Sequence, residues 1–437
     1  MKIALIGQDI PTLLPGLLAD LFFACREGAE VAAEEMNPAM RDVLQGYGSA
    51  MVKKADIGGS FLVSGDRETV LEGADCVLYA GDCQPASRFQ MDRDALSGSE
   101  EGDPGLSDQA RVNGGLGGLL HALRAGEEIL HLCDAMDRVC PGALVINLGQ
   151  PVARTTGIFL KRGYRCFGLG RTPMKGSSGA DAFLKRLGIP ASRGRVTVAG
   201  LPGFAFLIEA ADGDLPVTDR LKKAAKAGEL GSLSKRWLDW WGTIPVGEVT
   251  DAAEFLPAQP DYIPEEHPAF GETVERRKER ILYMNTVRQQ GADSTEGAMA
   301  QLLLLSRVPP IRPMSLAMMI LRGESGSMDA VTRRNGENLP DLPPEAIIEA
   351  RLTLSDGEEI PQHLALNPAL AEILREVDAA NRLASRAAFG DREALREYLE
   401  TDPALEGVDR LYAMEVAEAL IALHSDVLPR FRDGETE

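Results

Sequence analysis

A chain of 437 residues is long enough for two domains with separate cores, and its 44% apolar and 26% charged residues are an ordinary globular mix. The net charge of −20 argues against a nucleic-acid-binding protein and against docking on anionic membranes, since both need a basic surface. The most apolar stretch, Leu13 to Cys25, is interrupted by Pro15, Gly16 and Asp20, whereas a bilayer span needs about 20 apolar residues. The apolar run at the N-terminus, Ile3 to Ile6, is too short for a signal peptide. None of Cys25, Cys76, Cys83, Cys133, Cys140 and Cys166 forms a C-x-x-C pair, so free buried thiols and a cytoplasmic location are expected.

Lys2–Ile6 reads as a short buried strand ending at Gly7, followed by a helix with Leu13, Leu14, Leu17, Leu18, Leu21 and Phe22 on one face. Val31-Ala32-Ala33 then forms a strand ending at Glu34-Glu35, with Asn37-Pro38 as a stop. This strand-helix-strand spacing, with an acid at the end of the second strand, suits a dinucleotide-binding unit in which the acid bonds the ribose hydroxyls. Further strands are predicted at Phe61–Ser64, Cys76–Tyr79 and Ala143–Asn147, with helical segments at Arg67–Gly73 and Leu119–Cys140. Periodicity disappears between Gln84 and Asn113, a stretch read as a long loop, either a lid or a solvated insertion.

Beyond residue 200 helical patterns dominate, at Arg276–Gln290, Thr295–Ser306, Pro368–Ala388, Arg392–Thr401 and Arg410–His424, with a strand at Ala346–Leu352. The expected fold is α/β: a Rossmann-type doubly wound sheet in residues 1–200, then a mixed, helix-rich C-terminal α+β domain in residues 201–437 for substrate and oligomer contacts.

Several blocks, in order, resemble the NAD- and metal-dependent glycoside hydrolases of family 4. They are Ser64-Gly65-Asp66 through Asp75, Gly114-Gly115-Leu116-Gly117-Gly118 with Ala122-Leu123-Arg124, and Val145-Ile146-Asn147 with Gln150-Pro151. Gly168–Arg171 and Gly200–Phe204 are similar to the family's two metal-ligand segments, and Gly242–Pro245 through Glu254–Pro257 to the segment that reaches the sugar. Asn335-Gly336, Leu339-Pro340 and Ile347-Ile348-Glu349 are similar to its C-terminal strand motif. The resemblance implies oxidation at C3 of the sugar by NAD, removal of the acidified C2 proton, loss of the aglycone and return of the hydride. It assigns cofactor binding to Gly7, Glu35 and Asn147, and substrate binding to Arg124, Gln150 and Glu254. It also implies a small carbohydrate as substrate and a homo-oligomer.

The departures fall where that chemistry belongs. The cofactor turn is Gly7-Gln8-Asp9-Ile10-Pro11, keeping only the first glycine of the family's turn and placing a carboxylate beside the phosphates. As an N-cap before Pro11, Asp9 has a structural role instead. Gly170 and Gly203 stand where the family has its metal-binding cysteine and histidine. Cys166 lies about 13 Å along a strand from Gly170, too far to substitute, and the five histidines show no ligand spacing, so no metal of the family's kind is expected. Arg171 follows the lost cysteine. It either supplies a fixed positive charge in the metal's place, with Asp251 or Glu248 as base, or pairs with a carboxylate such as Glu254. Trp237, Trp240 and Trp241 are a core or interface cluster, with sugar stacking as the alternative. Two functional readings follow: an NAD-assisted glycosidase without the family's metal site, or a non-catalytic descendant that binds a sugar or a partner.

Overall fold

The computed structural model describes residues 1–81, 85–97, 106–170, 180–190, 192–247, 252–257, 274–290 and 312–432. The apolar run β1 (Lys2–Ile6) is buried on both faces and ends at Gly7. Gly7 has φ +120°, and a Cβ there would stand 2.3 Å from the Ala80 carbonyl oxygen, so the turn closes only with glycine. Helix α1 (Ile10–Leu18) has Asp9 at its N-cap position and continues as a π-helical turn, Ala19–Ala24. The Asp9 side chain does not cap α1, which differs from the bond its position suggests.

After β2 (Glu30–Glu34) comes α2 (Pro38–Ala55), which the sequence patterns did not reveal. Asn37-Pro38 starts this helix rather than stopping the chain: the Asn37 side chain accepts from the Ala39 N–H at 3.0 Å, and proline suits the first turn. Its buried stripe is narrow, comprising Leu44, Tyr47, Gly48 and Met51. Next come β3 (Ser60–Ser64), α3 (Arg67–Leu71) and β4 (Cys76–Tyr79). Helix α4 (Pro85–Ser97) occupies part of the stretch read as a loop. Two of its buried positions are Arg88 and Asp92, so charged residues face inward and no apolar period is visible.

Helix α5 (Gly115–Val139), β5 (Leu144–Asn147), α6 (Val152–Arg162), β6 (Cys166–Gly168) and α7 (Ala180–Arg186) complete the first half. A long antiparallel pair follows, β7 (Gly194–Leu201) and β8 (Phe204–Asp212), then β9 (Leu215–Pro216), α8 (Thr218–Lys226), α9 (Ser232–Trp241) and β10 (Ile244–Val246). The remaining elements are α10 (Val274–Gln290), α11 (Pro313–Leu321), β11 (Gly326–Arg334), β12 (Ile347–Ser355), β13 (Glu358–Glu359), α12 (Pro368–Ala387), α13 (Arg392–Thr401) and α14 (Arg410–Leu423). The expected helix at Thr295–Ser306 lies outside the described residues.

The described strands form one sheet in the order β10-β8-β7-β12-β11-β6-β5-β4-β1-β2-β3, with β9 on β8 and β13 on β12. The segment β3-β2-β1-β4-β5-β6 is parallel, the strand order of a dinucleotide-binding sheet, and every pairing beyond β6 is antiparallel. The sheet therefore crosses residue 200 without a break. One face is covered by a core that includes residues of α5, α6 and the C-terminal helices, and the other by one that includes residues of α1, α2 and α11. Trp237 is fully buried, with its ring 5.8 Å from Phe204 and 5.1 Å from Trp241, so this part of the tryptophan cluster is core.

Candidate functional site

Pairing places one transverse row across the sheet. Ile6, Tyr79, Asn147, Gly168, Thr332, Glu349, Gly200 and Ala205 are register partners in turn. Register partners project to one face, here the face covered by α6. In an open α/β sheet ligands bind outside the carboxyl ends of the parallel strands, where β1, β4, β5 and β6 meet this row.

At the cofactor turn, the Asp9 N–H donates to the Ala80 carbonyl at 3.0 Å, the Ile10 N–H to Gly7, and the Thr12 N–H to Asp9. Pro11 has no N–H. Most first-turn donors that would meet a pyrophosphate are thus bonded within the protein. The buried Arg280 of α10 reaches the same turn, with its guanidinium bonded to the Pro11 carbonyl and the Thr12 hydroxyl. It brings positive charge to the loop, and sequence reading missed it because α10 is remote in the chain. Half-buried Glu35 follows β2; one of its oxygens accepts from the Asn37 N–H at 2.8 Å. These residues fit the close approach and the ribose of a dinucleotide, while pyrophosphate charge would have to be met by groups other than the α1 amides.

Asn147 is fully buried and its carboxamide is committed. It donates to the Thr155 and Thr156 hydroxyls at 2.8 and 2.9 Å and accepts from the Gly149 N–H at 2.9 Å. It thereby fixes the turn that carries half-buried Gln150 and the cis Gln150–Pro151 peptide. Arg124 lies within the protein, paired with Asp92 at 2.9 Å. Asp92 also meets His424 Nε2 at 2.5 Å, and His424 Nδ1 lies 3.3 Å from Arg88. A guanidinium only donates, so Nδ1 accepts and Nε2 carries the proton shared with Asp92. Glu254 is likewise buried; its carboxylate accepts from the N–H groups of Val112 and Asn113 and from the Asn113 side chain at 2.8 to 3.2 Å. It latches the segment leading to the glycine-rich start of α5, where Asp402 accepts from the Gly115 N–H at 2.8 Å. Structure thus brings Asn147 and Gln150 together at the strand ends and places Arg124 and Glu254 in supports around them. Arg171, Glu248 and Asp251 lie outside the described residues.

A Cβ on Gly170 would meet Val152 at 3.4 Å and Glu349 Oε1 at 4.0 Å; one on Gly203 would meet the Phe255 ring at 3.4 Å. The space that a side chain at Gly170 would take is therefore bordered by a carboxyl group. Glu349 is 1% exposed and neither oxygen has a hydrogen-bond partner; beside it, Thr332 is 0% exposed with its hydroxyl also unpartnered. Burial pushes the Glu349 carboxyl well above the usual carboxylate range.

The model of the family described as family 4 glycosyl hydrolase matches residues 2–174. Over those residues the chain is similar to the family 4 glycosyl hydrolases. An alpha-glucosidase of Erwinia rhapontici is 31% identical over 157 residues, which is 35% of this chain and 33% of that relative's length. A 6-phospho-alpha-glucosidase from gut microorganisms, solved with NAD and glucose-6-phosphate, superposes with a TM-score of 0.75 at 13% identity, over 99% of this chain and 100% of that one. A 6-phospho-beta glucosidase from Thermotoga maritima gives 0.66 at 17% identity, over 98% and 99%. At these identities the solved structures establish the fold: a Rossmann-type α/β sheet with the C-terminal half attached, as the sequence implied. No helix among the described residues is long and apolar enough to cross a membrane.

Gly170 and Gly203, the positions at which the resemblance implies metal ligands, carry no side-chain donor. Among the described residues no group of three or more His, Cys, Asp or Glu side chains is placed to hold a metal ion.

Proposed function

We propose that the protein is a family 4-like glycosidase acting on a small glycoside by oxidation and elimination, with a nicotinamide dinucleotide and without the family's metal site. The observation that supports this most is the strand order of a dinucleotide-binding sheet, with half-buried Gly170, past the carboxyl end of β6, leaving the space of a side chain beside the Glu349 carboxyl. Gly7, Glu35 and Arg280 would hold the dinucleotide, whose nicotinamide supplies a hydride acceptor when bound. Asn147 holds the turn that presents Gln150 to the sugar. Asp251 or Glu248 takes the C2 proton, and Arg171 sets positive charge near the developing enolate. Arg124 and Glu254 act as positioning residues, through α4 and through the Val112–Asn113 segment. The substrate class is a small carbohydrate, and a homo-oligomer in the cytoplasm belongs to the same reading.

A second reading, a non-catalytic descendant binding a sugar or a partner, is favoured by the internally bonded first turn of α1 and the committed side chains of Asn147, Arg124 and Glu254. Calorimetric titration of NAD+ into nucleotide-free protein separates the two. Micromolar binding, followed by turnover in a panel of phosphorylated and unphosphorylated glycosides, supports the glycosidase. Absence of heat at millimolar NAD+ removes the redox route and leaves the descendant.

A further inference from the structure

Buried polar groups in folded proteins nearly always have partners, so a carboxyl with two unpaired oxygens beside an unpaired hydroxyl needs an explanation. Glu349 and Thr332 are register partners on β12 and β11, so their side chains stand on one face about 5 Å apart at Cβ. Both are at least nine-tenths buried. Thr332 packs on Gly168, where a Cβ would stand 3.0 Å from Thr332 Cβ and 2.7 Å from Thr156 Oγ1, whereas a Cβ on Gly170 would stand 4.0 Å from Glu349 Oε1. Gly170 itself is only half-buried, and the nearest atoms to a Cβ there would be those of Val152 and the Glu349 carboxyl, so the space of a side chain is left beside the acid. The N-terminus of α6 opens at the same place, with Val152 closest to Gly170.

We infer that Glu349 and Thr332 form a two-point hydrogen-bonding site for one oxygen atom of the sugar, seated in the hollow beside Gly170. This rests on the glycosidase reading above. The chemistry of the surroundings selects an acceptor oxygen over a cation. The positive end of the α6 dipole faces the hollow, favouring a ligand atom that carries or gains negative charge. A carboxyl kept neutral by burial donates a hydrogen bond, and the Thr332 hydroxyl donates a second, an arrangement suited to a keto or enolate oxygen. The site would then hold that oxygen by hydrogen bonds where the family's resemblance implies a metal.

Infrared difference spectroscopy tests this on the full chain with NAD+, using glucose 6-phosphate and methyl α-glucoside as probes and calorimetry as the measure of binding. The wild type should show a protonated-carboxyl band that is absent from Glu349→Gln and moves when a probe binds. Probe affinity should fall about tenfold in Glu349→Met and about fivefold in Thr332→Val, as expected for one lost hydrogen bond, and should hold in Glu349→Gln, whose amide still donates. Probe binding with an unmoved band and unchanged affinity in Thr332→Val overturns this inference and leaves the glycosidase reading standing. Binding of neither probe to the wild type overturns that reading and this inference with it. Should Glu349→Gln fail to fold, the wild-type band and Thr332→Val decide.

Discussion

Replacing Glu349 with methionine should stabilise the protein increasingly as pH rises. The carboxyl is 1% exposed, and neither oxygen meets a donor, so nothing within the protein compensates for its charge. Burial raises its folded-state pKa well above the usual range, while in the unfolded chain the group titrates at about 4.3. Below that value both states hold the proton, and the group's protonation does not oppose folding. Above it the unfolded chain releases a proton that the folded protein retains. Wild-type stability therefore declines with a slope of up to about 1.4 kcal/mol per pH unit until pH reaches the folded pKa. Methionine has a similar volume and no titration, so the difference between variant and wild type should widen by up to about 2.7 kcal/mol from pH 5 to pH 7. Urea unfolding of both proteins at pH 5, 6 and 7 measures it, and the comparison cancels every other titrating group. A constant difference across this range would show that Glu349 is ionised in the folded protein, refuting the neutral donor.

Asn147→Ala should cost about 1–3 kcal/mol, because the Thr155 and Thr156 hydroxyls and the Gly149 N–H lose a buried partner; urea denaturation reads it, and an unchanged midpoint would deny Asn147 its structural role. Asp92→Asn should cost about 3–5 kcal/mol by leaving Arg124 buried without a counter-charge; a loss below about 1 kcal/mol would mean that the pair is dispensable. Gly7→Ala should lower the melting temperature and abolish any NAD+ binding, since its Cβ would collide with the Ala80 carbonyl; calorimetry and a melting curve check both. The Cys76 and Cys133 thiols, pushed up to about 12 by burial, should resist a thiol reagent at pH 8 in the native protein and react only after unfolding.

What could be read from the chain, and what could not, follows from which residues face inward. β1, β4 and β5 are unbroken apolar runs because a central parallel strand is buried on both sides, so they are visible without a fold in hand. α13 and α12 have broad apolar stripes and were bounded within a residue of where they lie. α4 was missed because Arg88 and Asp92 face inward, and their partners His424 and Arg124 come from elsewhere in the chain. β7 and β8 carry Gly200, Pro202 and Gly203 at their junction, which reads as loop until their pairing is known. At the site, Glu349 was legible only as part of a strand motif. That it stands beside Gly170 depends on β12 reaching β6 through β11, a pairing that joins segments about 180 residues apart.

The same sheet row also separates two kinds of buried polar residue. Asn147 and Glu349 are both enclosed and belong to the same transverse line, one strand on either side of the Gly168–Thr332 pair. Asn147 has found three partners on its own turn and helix, so its role is to hold the backbone. Glu349 has found none: of its register partners Gly200 carries no side chain and the Thr332 hydroxyl is itself unpartnered, and on its other side stands Gly170. A core built for stability alone would replace such a carboxyl with an apolar residue, since burial without a partner is opposed by its full desolvation. Gly170 and the unpaired acid are therefore best understood together: the absent side chain leaves room for a ligand atom, and that atom supplies the partner that the protein withholds. Filling the space with Gly170→Ala, whose added carbon would sit 3.4 Å from Val152 in ordinary contact, should leave the fold's stability within about 1 kcal/mol while blocking the sugar oxygen from Glu349. Unchanged sugar affinity in that variant, measured by calorimetry, would break the link between the hollow and the acid.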